Sequence, residues 1–500
     1  MQLVSNPPPA TNGKIELPAA NSDRLKAARQ HLLAQEHAQA LGLVNEVLQR
    51  RPQDPGALAL QGLALAGLGR LQEALSAYLA SLEIDGQSVA TWTNLGNLLQ
   101  RMQRFADAWV CYQRGVTLDP HSASTLCNMA NALLRLGHYD LGLDAANQAI
   151  QWRTDYVNAY ATRAQILGHL GELDAALQDY ARAIAMEPHQ PHHRWNRANT
   201  LLLNGALSAA WPDYECRQQL STQDHPLRDH TQPRWQGQPL SKGATIFVYP
   251  EQGLGDTIQF SRYVLLLIEQ GAHVILQTPA ALAPVLQTLH PHLRLVTTAD
   301  EAGPFDWHCP LMSLPLAFNT HLDTIPAYER YLSSLPDRLQ RWSACLGPQR
   351  RARIGIAWSG NPDHHDDVFR SLALNEFLSF LPVQADYFCL QKDIRSTDLE
   401  TLRAREDIFC FGPLLEDFGD TAALCELMDL VVSVDTSVAH LAAAMGKDTW
   451  ILLAHNQDWR WLMGREDSPW YPSVRLIQRP PPPLPNVLSS SPGLAQATIR

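Results

Sequence analysis

Apolar and small residues in the first half of the chain follow a helical period, and the pattern repeats every 34 residues. Pro52, Pro120 and Pro188 are spaced by 68 residues, which is two repeats. With residue 21 as position one, six successive copies keep Ala or Gly at positions eight and twenty. These are Ala28, Gly62, Gly96, Ala130, Ala164 and Ala198, and then Ala40, Ala74, Ala108, Gly142, Ala176 and Ala210. Small residues let two helices cross closely, so the pattern predicts six helix pairs over residues 21–224.

Larger side chains complete each predicted pair. Position twenty-four is tyrosine in four of the six copies and fills the gap to the next pair, whereas the prolines end the second helix. This pattern resembles the tetratricopeptide repeat, with Trp92, Leu95, Gly96, Ala108, Tyr112 and Pro120 in the best copy. The resemblance implies a superhelix with a concave groove for a protein or peptide. Support of a neighbouring domain or a dimer is the alternative role of such a groove.

Asparagines recur at positions six and nine of the first helix in three copies. They are Asn94 with Asn97, Asn128 with Asn131, and Asn196 with Asn199. Residues three apart share a helix face, so these amides are candidates for clamping an extended peptide. A solvated helix surface explains the same spacing, and the spacing does not decide between the two.

The period changes after a polar stretch. Residues 245–249 (TIFVY) have the composition of a buried strand, and a glycine-bearing turn follows at 250–256. An amphipathic helix is predicted over Thr257–Gln270 and a second strand over His273–Gln277. Strand, glycine turn, helix and strand form a βαβ unit, whose turn places helix N–H groups at the carboxyl edge of a parallel sheet.

A second series of this kind occupies the end of the chain. The strand Arg353–Trp358 leads into Ser359-Gly360-Asn361-Pro362, and the strand Leu430–Val434 ends in Asp435-Thr436-Ser437. A helix over about Val438–Met445 and a strand at 450–453 follow. The predicted fold class is therefore an α-helical superhelix followed by an α/β module of two Rossmann-like lobes, at 244–350 and 351–478.

Two ordered motifs suggest a family for this module. The segments are EQGLGDT in the first lobe and SVDTSVAHLAAAMGK in the second, with WPDYE, DWHCPLMSL, WRW and DSPWYP as supporting segments. Together they resemble the heptosyltransferase-like glycosyltransferases of family nine, in the branch with tetratricopeptide repeats in front. The resemblance implies the two-lobed GT-B arrangement and an inverting, metal-independent transferase. Its co-substrate would be a nucleotide-diphosphate sugar, with no further cofactor.

The resemblance also implies which residues hold the donor. The candidates are Asp435, Thr436, Ser437 and His440 at the start of a helix, and Arg370 and Ser371 after the loop at 361–367. Gln391 and Lys392 are added from their position alone, because they follow a strand and so lie at another carboxyl edge where a nucleotide could be contacted. Helix N–H groups, hydroxyls and a guanidinium are suited to diphosphate oxygens. The alternative is structural, with Asp435 or Thr436 capping the helix and His440 packed in the core.

The resemblance also implies that Asp256 is the general base, since it follows Gly255 at the mouth of the first βα turn, where the family has the aspartate that accepts the acceptor proton. Glu251 in the same loop is the rival, and a loop that folds back would bring both carboxylates into one site and raise the pKa of one of them. Gly253 and Gly255 would let the backbone approach a ligand. An N-terminal helix cap explains Asp256 equally well.

Two further segments have a structural interpretation. The acidic and histidine-rich loop 363–367 is predicted to be a hydrophilic loop rather than a metal site, and no metal is expected. Residues 459–461 (WRW) are expected to pack the lobes together.

Composition limits the remaining function classes. The 500 residues are 45% hydrophobic and carry a net charge of −11, which argues against nucleic acid or an anionic membrane as partner. Eight cysteines without a CxxC pair favour reduced thiols and a cytoplasmic location. The first 23 residues lack the pattern of a secretory signal, and no apolar run has the length of a membrane span.

The rest of the chain is assigned to connecting segments. Disordered tails are predicted at 1–20 and in the Pro/Ser-rich 479–500, and a linker at 225–243. The leading hypothesis is a glycosyltransferase whose repeats recruit a protein, peptide or glycan acceptor. The alternatives are a non-catalytic repeat scaffold with a degenerate GT-B module, and an enzyme acting on a lipid-linked saccharide. Donor, acceptor and oligomeric state stay open.

Overall fold

The computed structural model describes residues 23–220, 230–364, 366–382 and 384–485. These residues form two compact units. One contains residues 23–193 with 481–485, and the other contains 194–480. The predicted tail at 1–20, most of the tail at 486–500 and part of the linker lie outside the described residues.

Residues 23–214 form six successive antiparallel helix pairs. The helices are α1 (Asp23–Leu33), α2 (His37–Arg50), α3 (Pro55–Gly67), α4 (Leu71–Ile84), α5 (Val89–Arg101), α6 (Phe105–Leu118), α7 (Ala123–Leu136), α8 (Tyr139–Trp152), α9 (Val157–His169), α10 (Leu173–Met186), α11 (Pro191–Leu203) and α12 (Leu207–Tyr214). The boundary between the two units falls within α11, so α12 belongs to the second unit.

The 34-residue period is visible in the helix caps. Asp54, Ser88 and Ser122 each precede the first helix of a pair, and each side chain accepts a hydrogen bond from the backbone N–H three residues later. Such a cap satisfies an N–H group that has no partner within the helix. The start of these helices is therefore encoded at one fixed repeat position.

In two of the pairs a glycine makes room for a tyrosine ring. A Cβ atom on Gly62 would lie 2.7 Å from the ring of Tyr78, and one on Gly96 would overlap the ring of Tyr112. The Tyr112 ring is fully buried, and its hydroxyl donates to Asn97 Oδ1 at 2.8 Å. In these two copies the tyrosine ring thus packs against the first helix of its own pair, whereas the sequence pattern predicted that it fills the gap to the next pair.

The asparagines that were candidates for clamping a peptide form hydrogen bonds inside the protein. Asn97 Oδ1 also accepts from Asn128 Nδ2 at 2.8 Å, and Gln100 Nε2 donates to the Tyr112 hydroxyl at 2.7 Å. Asn199 Nδ2 donates to the carbonyl of Trp195 at 2.9 Å. These amides bond within the protein itself, which neither the peptide clamp nor the solvated surface had predicted.

The first sheet is parallel and four-stranded, in the order β3-β2-β1-β4. Its elements are β1 (Thr245–Tyr249), α13 (Leu254–Phe260), α14 (Arg262–Glu269), β2 (His273–Gln277), α15 (Ala283–Leu286), β3 (Arg294–Val296), β4 (Trp307–Pro310) and α16 (Leu314–Ala317), followed by α17 (Pro336–Leu346). Because β1 and β4 are parallel and their last residues are in register, their carboxyl ends lie on the same side of this sheet.

The second sheet is parallel and six-stranded, in the order β10-β9-β8-β5-β6-β7. Its elements are β5 (Arg353–Ala357), α18 (Asp367–Arg370), α19 (Leu374–Phe377), β6 (Asp386–Cys389), α20 (Leu399–Arg403), β7 (Ile408–Cys410), α21 (Phe418–Glu426), β8 (Leu430–Val434), α22 (Ser437–Ala444), β9 (Thr449–Leu453) and β10 (Val474–Gln478). The neighbouring strands β5 and β8 lie at the centre, as expected for buried apolar segments.

The predicted helix Thr257–Gln270 is wrong in detail. It begins earlier, at Leu254, because the Asp256 carboxylate accepts a hydrogen bond from the N–H of Gly253 and so stabilises the first turn. It is also divided at Ser261, whose hydroxyl donates to the carbonyl of Ile258 at 2.8 Å. A hydroxyl that bonds back to the helix backbone favours such an interruption.

The described parts of the linker and of the C-terminal tail are not free segments. Trp235 is fully buried, and its backbone N–H donates to the carbonyl of His308 in β4. Arg479 donates to the carbonyls of Leu453 and Arg370. The buried Trp235 indole holds part of the segment that was predicted to be a linker. The hydrogen bonds of Arg479 hold the start of the segment that was predicted to be a disordered tail.

Candidate active site

Two strand-end turns of the α/β unit meet where α13 packs against α22. A Cβ atom on Gly255 would lie 2.8 Å from Cδ2 of His440, so only glycine permits this approach without displacement of the imidazole. Six charged or titratable side chains converge here. We call them the strand-end cluster: Asp256, Arg370, Asp435, His440, Asp458 and Arg460.

Asp256 lies in the first turn of α13 and has two roles. One carboxylate oxygen accepts from the N–H of Gly253 at 2.7 Å, and the other forms an ion pair with Arg460. Burial raises the pKa of Asp256, and the neighbouring Asp458 adds to the rise, although Arg460 opposes it. The helix-stabilising role expected as the alternative is therefore present, together with a perturbed carboxyl group in the cluster.

Arg460 is the central cation of the cluster. Its side chain is about 6% exposed, and it pairs with Asp458 Oδ1 at 2.8 Å as well as with Asp256. The guanidinium carbon lies 4.4 Å from the centre of the Trp459 ring. Its Nε atom is buried without a hydrogen-bond partner within the described structure. The Nε–H group of this buried arginine is thus an unused donor beside two carboxylates.

Asp435 directly follows β8 and is half-buried. Burial raises its pKa to about 6, with a further rise from the charge of Asp458, while Arg370 and Arg460 lower it. The Nη1 atom of Arg370 lies 3.3 Å from the backbone carbonyl of Asp435, to which it donates. The carboxyl group consequently changes charge near neutral pH.

His440 is a buried member of α22 and is neutral. Burial lowers the pKa of His440, and Arg460, Arg262 and Arg370 lower it further. Nδ1 lies 2.9 Å from the Tyr471 hydroxyl, and the imidazole stacks on Trp461 with 5.1 Å between ring centres. The 3.7 Å between Nε2 and Asp435 Oδ1 is accordingly not an ion pair. The packed histidine of the structural alternative is present, with one ring nitrogen towards the strand-end aspartate.

Helix α22 begins without a side-chain cap. Thr436 is its N-cap residue, but no side-chain capping bond is formed, and the hydroxyl lies 3.2 Å from Ser433 Oγ. Ser437 opens the helix beside Asp435. The capping role considered for Asp435 and Thr436 is therefore not observed. The first N–H groups of an uncapped helix are a favourable environment for an anion.

Arg370 and Ser371 lie beside this helix end. A Cβ atom on Gly360 would lie 2.6 Å from Arg370 Nη2, so the glycine makes room for the guanidinium. Ser371 Oγ accepts from the N–H of Gly360 at 2.9 Å and donates to Asp367 at 2.7 Å. Of the two residues, Arg370 points its guanidinium at the strand end, while the Ser371 hydroxyl holds the loop.

Gln391 and Lys392 lie at the end of β6. The Gln391 side chain is buried and accepts from the N–H groups of Trp358 and Ser359, and it donates to Ser359 Oγ at 3.0 Å. Lys392 is exposed and lies 3.5 Å from the carbonyl of Glu416. Gln391 thus joins two strand ends of the second sheet, and Lys392 is the more accessible of the two.

Glu251 and Asp256 form ion pairs with different arginines. Its carboxylate pairs with Arg217 at 2.8 Å, in a group that also includes Glu215, Ser313 and Arg234. Asp256 pairs with Arg460 instead. The structure therefore does not bring the two carboxylates together as a shared acid–base pair.

Polar side chains in the acidic loop and at the start of α18 form contacts with other protein groups. Asp367 is buried and forms an ion pair with Arg395, and His364 Nδ1 accepts from the N–H of Asp366 at 3.1 Å. Within the described ranges, no group of three or more His, Cys, Asp or Glu side chains has an arrangement that would hold a metal ion. No helix in these ranges is long and apolar enough to cross a membrane.

Sequence reasoning missed Arg460 and Asp458 as members of the cluster. Residues 459–461 were assigned to packing, which the two buried tryptophans confirm. The arginine between the two tryptophans was the sequence signal for a buried polar contact. A buried guanidinium requires a carboxylate or carbonyl partner. The partner itself was not foreseeable, because Asp256 is 204 residues away.

Comparisons with known families identify the helical part. The model of the N-terminal TPR region of Psidin matches residues 24–160, and a tetratricopeptide-repeat model matches 161–215. Residues 24–215 are a tetratricopeptide-repeat array. Tetratricopeptide repeats are a protein- and peptide-binding fold, in agreement with the partner class predicted from the sequence.

One curated relative is protein FlbA of Caulobacter vibrioides, at 26% identity over 310 residues. The match covers 56% of this chain and 51% of FlbA, so the chain spans about half the length of that relative.

Several solved structures match about a third of this chain at low identity. TTC0263 of Thermus thermophilus is 22% identical, with 37% of this chain and all of that protein covered, and a TM-score of 0.32. MamA of Desulfovibrio magneticus RS-1 is 19% identical, with 34% and 99% covered and a TM-score of 0.31. YrrB, a TPR protein with an unusual peptide-binding site, is 16% identical, with 34% and 88% covered and a TM-score of 0.30.

Proposed function

We propose that the α/β unit is a glycosyltransferase that uses a nucleotide-diphosphate sugar, and that its strand-end cluster is the active site. The observation that supports this most is the contact of Asp256 with Arg460, which joins the turns of two parallel sheets in one charged, buried site. Open parallel sheets bind ligands at the carboxyl ends of their strands. Carboxyl groups with shifted pKa values concentrate at functional sites, because burial and neighbouring charges are arranged there to shift them.

The donor diphosphate is assigned to the second sheet. The uncapped start of α22, the Arg370 guanidinium and the spare Nε of Arg460 together supply N–H donors to anionic oxygens. A site of this composition stabilises the negative charge that develops on a departing diphosphate without a metal. His440, being neutral, adds a donor or acceptor without altering the charge balance.

Asp256 is assigned as the general base. It would take the proton of an acceptor hydroxyl as that oxygen attacks the anomeric carbon and the nucleoside diphosphate departs. Its carboxylate forms an ion pair with Arg460. Diphosphate oxygens compete for the same guanidinium, so donor binding weakens this ion pair and frees the carboxylate for proton transfer.

The tetratricopeptide repeats are assigned to acceptor recruitment. The internal bonding of Asn97 and Asn128 indicates that these amides do not supply the peptide contacts. We therefore propose a protein or peptide acceptor that is recognised by repeat positions other than this asparagine ladder.

A thermal-shift screen of the full-length protein against nucleoside diphosphates and their sugar derivatives tests the proposal. A ligand at 100 times its dissociation constant adds about 2.7 kcal/mol to the free energy of unfolding. We expect one nucleotide class to raise the melting temperature, and Arg370→Gln and Asp435→Ala to abolish the rise. Arg465→Gln is the matched control, because this arginine pairs with Asp467 at the surface.

Activity is then measured with the donor class identified by the screen. Asp256→Asn is expected to bind the donor and to transfer no sugar, since the amide cannot accept the proton. A folded protein that binds none of the nucleotides would overturn the enzyme hypothesis. It would favour the alternative, a repeat scaffold with a non-catalytic α/β unit.

A further inference from the structure

Two cysteines face each other across the edge of the second sheet. Cys389 ends β6 and Cys410 ends β7, and they are directly paired in the parallel register of these strands. Neighbouring strands are about 4.8 Å apart. That spacing falls within the range of Cα separations, about 4.4–6.8 Å, that a disulfide spans.

The preceding register pair fixes the side on which the two thiols lie. Phe388 and Phe409 stack with 5.2 Å between ring centres, so both rings occupy one face of the sheet. Side chains alternate between faces along a strand. The thiols of Cys389 and Cys410 therefore share the opposite face.

The two thiols differ in access and in reactivity. Cys389 is fully buried and its Sγ donates to the carbonyl of Gln391, whereas Cys410 is exposed on the edge strand. The interaction between the two neighbouring thiols lowers the pKa of Cys410 and raises that of Cys389. An exposed thiol with a lowered pKa is the one that an oxidant reaches first.

We propose that Cys389 and Cys410 form a dithiol modification site, which hydrogen peroxide or a related hydroperoxide converts to an intramolecular disulfide. The Cys410 thiolate attacks one peroxide oxygen, which gives a sulfenic acid and releases hydroxide. The Cys389 sulfur then attacks the sulfenic sulfur, the S–S bond forms and the sulfenic oxygen departs as water. Two thiols are oxidised and one peroxide is reduced to two waters.

This site is independent of the proposed transferase activity. Its oxidised form joins the edge strand β7 to β6 beside Gln391, whose side chain holds the end of β5. The modification therefore acts on a strand end of the second sheet.

Peptide mapping of the full-length protein tests the proposal. Reduced protein is treated with limiting hydrogen peroxide, alkylated, and digested without reduction by proteases specific for Lys/Arg and for Glu. Cleavage after Lys392, Glu406 and Glu416 separates Cys389, Cys410 and Cys425 into different peptides. We expect a linked pair of the Cys389 and Cys410 peptides that disappears after treatment with a reductant.

Three variants make the result decisive. Cys345→Ser removes the exposed cysteine of α17 and should leave the linked pair unchanged. Cys410→Ser should abolish it, and Cys389→Ala should leave Cys410 as a sulfenic acid that dimedone traps. Oxidation of Cys410 to the sulfinic acid in wild type without a linked pair would overturn the proposal, as would a Cys410–Cys410 dimer on a non-reducing gel.

Discussion

Arg460, which follows β9, forms a buried ion pair with Asp256, which belongs to the helix after β1. The two residues come from different parallel sheets, so this contact connects the sheets at their strand ends. Breaking a buried ion pair leaves an uncompensated charge and costs about 3–5 kcal/mol, whereas replacing both partners costs much less.

Arg460→Met should therefore destabilise the α/β unit more than the double variant Asp256→Asn/Arg460→Met does. The Asp256→Asn substitution removes one of the two carboxylates that lose Arg460 as their partner, the other being Asp458. Chemical denaturation monitored by tryptophan fluorescence measures the difference, with Asp256→Asn alone completing the cycle. Additive effects of the two substitutions would contradict a direct coupling of these side chains.

The stability of the protein should depend on pH through Asp435. Its pKa is raised from the ordinary 3.8 to about 6, so the folded state binds the proton more tightly than the unfolded state does. The resulting stabilisation is present below pH 4 and is lost as the pH rises through 6. Asp435→Asn should then be more stable than wild type by about 1–3 kcal/mol at pH 8, with the gap closing at pH 4. Thermal melts at both pH values check this.

Asp420 provides a control of the opposite sign. Burial opposes its ionisation, but hydrogen bonds from Trp342 and the Glu416 N–H, with the charges of Arg338 and Arg341, lower its pKa overall. Asp420→Asn should destabilise the protein at pH 8, and the loss should shrink as the pH falls below 4. Equal pH profiles for the Asp420 and Asp435 variants would contradict the assigned directions.

Gly255→Ala should disturb the strand-end cluster by contact alone. The added methyl group would lie 2.8 Å from Cδ2 of the His440 imidazole, which must then shift from the position in which it contacts the Tyr471 hydroxyl. We expect a loss of about 1–3 kcal/mol in stability, as for overpacked cores, and a weaker response to the nucleotide found in the screen. Gly464→Ala is not a suitable control, because its φ of 67° strains any side chain. An unchanged nucleotide response would contradict the placement of His440 beside the ligand.

In the repeats, two glycines of helix interiors should respond in opposite directions. Gly96→Ala overlaps the Tyr112 ring and should lower stability by about 1–3 kcal/mol. Gly42→Ala meets nothing within 4 Å and should raise stability by up to about 1 kcal/mol, since alanine favours a helix. Thermal melts of the two variants give the comparison. A loss of stability in both would contradict the assigned packing.

The repeats were predictable because the residues that pack one helix pair lie close together in the sequence and recur in each copy. Gly96 and Tyr112 lie sixteen residues apart in one copy, and their complementarity recurs along the sequence. The strand ends at Tyr249 and Val434 were likewise visible from apolar runs followed by turn residues. Local composition thus determines these elements without reference to the rest of the chain.

The composition of the cluster was only partly predictable. Asp256, Asp435 and His440 lie in or just after recognisable strand-end turns, so the sequence predicted their position, whereas Arg370 was assigned from the family resemblance. Arg460 became visible only in the folded chain, because its partner is 204 residues away. The internal bonding of Asn97 also depends on a neighbouring repeat, and helix-face periodicity contains no information about that neighbour.

The last repeat is part of the α/β unit, and this determines where the chain tolerates division. Trp211 and Tyr214 of α12 lie edge-to-face against Trp459, with ring centres 5.9 and 6.0 Å away, and Arg217 pairs with Glu251. An expression fragment that starts at the first strand would lack both rings, expose the Trp459 indole and leave the Glu251 carboxylate without its arginine. Limited proteolysis should accordingly release a stable C-terminal fragment that retains α12, rather than one trimmed to Thr245.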